Sequence, residues 1–114
     1  MHRIRAELAD NFADRMRGLM HREKLAQNSG MLFVFDAPEV QCMWMKNTQI
    51  PLSVAFLDET ATIINIEDMQ PHTENSHCSK RPARYALEME RGWFAARGIK
   101  PGAKLRGLEQ LRRP

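Results

Sequence analysis

Residues 52–68, "LSVAFLDETATIINIED", place two apolar runs rich in β-branched residues on either side of a turn at Asp58–Thr60, which predicts a β-hairpin. A hairpin commits its two strands to antiparallel pairing, and Pro51 just ahead of it resets the chain before the first strand. Few other stretches carry a helical period. The fold class expected is therefore mainly β, a compact antiparallel barrel-like or sandwich single domain over 1–114 with two short helices.

The remaining segments fit that frame. "HRIRAEL" (2–8) alternates as a half-buried strand does, "MLFVF" (31–35) reads as a strand buried on both faces, and "VQCMWMKN" (40–47) as the strand after Pro38. Asp10 or Asn11 can cap a short helix with Phe12, Met16, Leu19 and Met20 at helical spacing and Gly18 as its stop. "RYALEMER" (84–91) alternates again, "GWFAARG" (92–98) reads as a helical turn or two, and "AKLRGLEQL" (103–111) as a seventh and last strand. Between them, "MQPHTENSHCSKRPA" (69–83) has two prolines and no period, and is long for a connection in a compact domain.

Composition narrows the function classes. Apolar residues at 43% and charged residues at 27% are ordinary for a globular chain. The longest apolar run, "MLFVF", is too short to cross a bilayer, and no apolar stretch after Met1 resembles a signal peptide, so a cytoplasmic address is expected, or a periplasmic one if a leader was removed. The net charge of +3 sits in a basic tail from about residue 98, where Lys100, Lys104, Arg106, Arg112 and Arg113 face only Glu109. Nucleic-acid binders carry a basic face on the body, so no nucleic-acid partner is expected. Cys42 and Cys78 form no CxxC pair; both are expected to be free thiols.

"GLM" (18–20), "GMLFVF" (30–35), "WMKNTQIPLSVAFLD" (44–58), "PARYALE" (82–88) and "GIKPG" (98–102) follow one another as they do in the domain of unknown function 192, which this chain resembles over nearly its whole length. The resemblance implies a compact, mainly β domain and no particular activity. It also implies that residues 44–51 are the family's central motif, that Cys78 takes the place of a frequent loop cysteine, and that Glu67 and Glu88 stand at usually acidic positions.

The candidate site centres on "WMKNT". As a strand, this stretch turns Cys42, Trp44, Lys46 and Thr48 to one face, so that an indole offers a flat apolar platform beside donors from Lys46, Asn47 and Thr48. The simpler role for these residues is structural, with the lysine stem covering the ring. The functional expectation is a small non-catalytic binding or accessory module that recognises a polar ligand, a sugar or small anion, or a partner protein. Its ligand-binding residues would be Trp44, Lys46, Asn47, Thr48, Glu67, Cys78, Arg84 and Glu88. The alternative is a small hydrolase using Cys78 as nucleophile or Glu67 and Glu88 as a carboxylate pair. No cofactor is expected, and no metal, because His72, His77, Cys78 and Asp68 match no ligand spacing.

Overall fold

The hairpin is there. In a computed structural model, which describes residues 2–108, Leu52–Leu57 (β4) pairs antiparallel with Ile63–Met69 (β5) around the 58–62 turn. Asp58 organises that turn by accepting hydrogen bonds from the Thr60 and Thr62 amides at 2.9 and 3.1 Å, while Ala61 takes a left-handed conformation at φ 64°. Such side-chain acceptors favour turns because they replace backbone partners the turn lacks.

Five strands form the main sheet in the order β1-β2-β7-β4-β5, with β1 at Arg5–Ala9, β2 at Ser29–Glu39 and β7 at Ala83–Glu90. A separate two-stranded ribbon joins β3 (Cys42–Met43) to β6 (His77–Cys78). The sheet does not close into a barrel, and the architecture is sandwich-like. Two helices are present, α1 (Phe12–Arg17), whose N-cap Asn11 accepts from the Asp14 amide, and α2 (Trp93–Ala96). Both fall where the sequence predicts them.

Four expectations need correction. β1 pairs with β2 in parallel, through a crossover that carries α1, so one ladder of an otherwise antiparallel sheet is reversed. The predicted strand at 103–111 contributes only an isolated bridge from Lys104 to Thr62 within the described residues, and residues 109–111 lie outside them. The 69–83 segment, by contrast, holds a strand, because the ribbon partner of β3 lies in it. Finally, Phe12 and Met16 are exposed, since α1 stops at Gly18; of the four apolar positions only Leu19 is fully buried, and Met20 is half-buried.

The sheet is covered on both sides. One face presents Phe33, Val54, Phe56 and Ala86 to the ribbon and its loops, whereas the other presents Leu32, Ala55, Leu57 and Leu87 to α2 and to the 99–108 segment. Central β7 is consequently buried along both faces from Tyr85 to Met89. It also approaches β2 closely: a Cβ on Gly30 would stand 2.1 Å from the Glu88 carbonyl oxygen and 2.5 Å from Met89 Sδ. Overpacking of this kind forces backbone to move. Gly30→Ala is expected to destabilise the protein by about 2 kcal/mol or more in chemical denaturation; a change of less than ~0.5 kcal/mol would show that β2 and β7 have room to part.

Candidate ligand-binding site

The strand predicted for 40–47 stops at Met43. Met45 is fully buried and its amide donates to the Thr73 carbonyl at 3.0 Å, which pulls the backbone out of the ribbon. Asn47 then takes a left-handed conformation at φ 55°, its carbonyl accepting from the His21 amide. Thr48 is buried; its amide donates to the Met45 carbonyl and its hydroxyl to the Lys46 carbonyl at 3.1 Å. Thr48 therefore fixes a turn, as short polar side chains commonly do. Trp44 is 40% exposed, and Lys46 Nζ stands 5.3 Å from the centre of its ring, a cation–π contact.

Trp44 and Thr48 line a cavity of about 110 Å³ between the ribbon and the α1 turn. Its walls include Met16, Met20, Met43 and the disulfide-bonded Cys42, and its base includes Phe33, Leu52 and Glu88. The space is enough for several waters or one ring-sized group. Glu88 is the chemical centre of this cavity. The residue is 3% exposed, its side chain takes part in no hydrogen bond or ion pair with the described residues, and burial pushes its carboxyl up to about 8. A carboxyl without a positive partner in such surroundings holds its proton at neutral pH and can donate a hydrogen bond as well as accept one.

These residues lie within a recognisable whole. The family model DUF192, described as "Uncharacterized ACR", matches residues 1–107. The chain belongs to this family. It is similar to a solved protein of unknown function from Novosphingobium aromaticivorans DSM 12444, at 36% identity and a TM-score of 0.86, over 89% of this chain and 73% of that one. It is also similar to a Sinorhizobium meliloti 1021 protein, provisionally called a transcription regulator, at 39% identity and a TM-score of 0.87, over 90% and 81% of the two chains. No curated protein matches.

Within this DUF192 domain the other expected site residues scatter. Glu67 and Glu88 both pair with Val54 on β4 and so share a face, two strand spacings or roughly 10 Å apart. Glu67, however, accepts from Asn65 Nδ2 at 3.0 Å and lines a different cavity, with Asp68 and Lys100. The carboxylate pair is not assembled. Arg84 pairs with Glu59 at 3.3 Å and is absent from the Glu88 cavity. Lys46 and Asn47 lie beside that cavity in sequence without lining it. Arg15, Arg17, Met20 and Phe33 do line it, although sequence reasoning gave them no site role; the "GLM" and "GMLFVF" motifs that flank them were the available signal. Among the described residues no group of three or more His, Cys, Asp or Glu converges as a metal site would.

The thiol expectation is overturned. Cys42 and Cys78 stand opposite each other in the β3–β6 ladder and are joined by a disulfide, with an S–S distance of 2.07 Å. Antiparallel pairing brought their side chains to one face, a contact that a separation of 36 residues in sequence conceals. The Asn65 side chain adds a clasp on the same ribbon, donating to the Cys78 carbonyl and accepting from the Lys80 amide.

Two outcomes are expected. The folded state keeps Glu88 protonated to about 8, while the unfolded chain releases that proton near the ordinary 4.5. More protons are bound when folded across that window, so stability falls as pH rises through it, with a slope approaching about 1.4 kcal/mol per pH unit. Glu88→Gln removes this slope, which urea titrations of both proteins between pH 5 and 9 would read; parallel curves would refute the assignment. Replacing both cysteines by alanine is expected to cost roughly 2–4 kcal/mol from the unfolded-chain entropy of a loop this long. Thiol titration of the denatured, unreduced protein should find no free thiol, and two thiols per chain would return the cysteines to the reduced state.

Proposed function

We propose that this DUF192 domain is a small non-catalytic binding module whose site is the Glu88 cavity, and that its ligand is a neutral polar molecule of the sugar class. One observation carries the reading: a buried, unpaired carboxyl at the base of a cavity that has an exposed tryptophan at its mouth. A protonated Glu88 offers a donor and an acceptor to a hydroxyl, and Trp44 offers a flat surface for the apolar face of a ring. Lys46 supports the indole and brings an ammonium group near the rim. A small anion suits the site less, because it would add negative charge beside a carboxyl already costly to ionise, and the arginines in the lining, Arg15 and Arg17, already pair with Asp36 and Asp14.

The hydrolase alternative loses its parts: Cys78 is committed to a disulfide and Glu67 lines another cavity. The disulfide also favours an oxidising compartment over the cytoplasm, where thiols are kept reduced. No helix of the described residues is long and apolar enough to cross a membrane. The regulator label of the Sinorhizobium meliloti protein stays with that protein.

The test is an NMR titration with glucose, N-acetylglucosamine and maltose at millimolar concentration. Saturable shifts are expected at the Trp44 indole and at the Thr48 and Glu88 amides, lost in Trp44→Ala and weakened as pH rises above about 8, where Glu88 loses its donor. Trp44→Ala should destabilise by well under the roughly 3–5 kcal/mol of a core tryptophan, so the variant remains folded for the comparison. If no sugar perturbs these residues, the cavity holds only water that satisfies Glu88 and the reading fails.

A further inference from the structure

The sheet face opposite Glu88 carries a second and larger cavity, of about 550 Å³, within the range of small-molecule sites. Its inner wall is formed by buried side chains, among them Leu57, Ile63, Leu87 and Phe94. The cavity opens to solvent on its outer side, so a ligand can reach the apolar inner wall and cover it. The polar residues around it all have one character: His2, Arg3, Lys104 and Arg106 are exposed, and no aspartate or glutamate joins them in the lining. Arg3, Lys104 and Arg106 are in none of the ion pairs of the described residues, which involve Arg15, Arg17, Arg22 and Arg84. Apolar walls with a basic mouth that no described acid neutralises complement a molecule with a hydrocarbon tail and a negative head.

We propose that this cavity binds a free fatty acid of medium chain length, with the alkyl tail against Leu57, Leu87 and Phe94 and the carboxylate at Arg3, Lys104 and Arg106. The site is independent of the Glu88 cavity, because successive residues of β4 and β7 point to opposite faces of the sheet. Trp93 is a built-in reporter. It lines the cavity, and its indole is fixed by donation to Asn28 Oδ1 at 3.0 Å and by the Arg97 guanidinium 4.3 Å from its ring centre.

The experiment uses Trp44→Phe, which leaves Trp93 as the single tryptophan of a chain that has two. Decanoate, kept below its micelle concentration, should shift Trp93 emission saturably. Nonyltrimethylammonium, equal in tail and opposite in head, should bind about tenfold more weakly or worse, and the double variant Lys104→Gln, Arg106→Gln should weaken decanoate to a similar extent while its thermal unfolding stays unchanged. Ala103→Phe, which crowds the mouth, should weaken both amphiphiles. The proposal is overturned by the absence of a saturable response, by equal responses to the two head groups, or by unaltered decanoate binding in the Lys104/Arg106 variant. Binding that appears only after residues 109–114 are removed would assign the space to the chain's own C-terminal segment and overturn it as well.

Discussion

β7 is hydrogen-bonded along both edges, to β2 on one side and β4 on the other, and Gly30 lets the β2 backbone come close against the Glu88 carbonyl. With its main chain held in this way, Glu88 has no freedom to turn its side chain to solvent. The carboxyl is buried because the ladder puts it there, and the two arginines that line its cavity, Arg15 and Arg17, are paired with Asp36 and Asp14 instead of with Glu88. Its proton is thus a consequence of strand register. The same row of the sheet illustrates the contrast, since Glu7, two strands away through Met31, lies on edge strand β1 and reaches Arg22, whose hydrogen bonds hold its carboxyl below the usual range.

The two faces of the sheet are covered by different means. On the Glu88 side the cover is a two-residue ribbon and its loops, too short to be stable alone, and the Cys42–Cys78 bond with the Asn65 clasp hold it in place. On the other side the cover is α2 and the segment after it, which pack by apolar contact around Trp93 and Phe94. One cover depends on a covalent bond and the other on area, and each leaves a cavity where it meets the sheet.

Local pattern carried most of the strands and both helices, because hairpin turns, caps and alternation act over a few residues. The 52–68 hairpin and the Asn11 cap are of this kind. What failed depended on distant partners. Alternation through "WMKNT" breaks because Met45 answers to Thr73, and the pairing of the cysteines needs a strand inside a segment that looked irregular. Glu88 was legible as an acid at a place of interest, but its isolation was not: "RYALEMER" alternates as though one face met water, and only the layers on both sides of β7 make every residue from Tyr85 to Met89 a core residue.

The position of β7 in the chain bears on how the protein is made. The strand that occupies the centre of the sheet ends at Glu90, and the two strands it joins, β2 and β4, end at Glu39 and Leu57. At a synthesis rate of about 5–20 residues per second, β2 waits several seconds on the ribosome with one apolar edge open, and the β4–β5 hairpin waits beside it without a bridge between them. Open edges of this sort are templates for unwanted pairing. The main sheet is therefore completed only when β7 emerges, and until then the facing edges of β2 and β4 stay open to other strands.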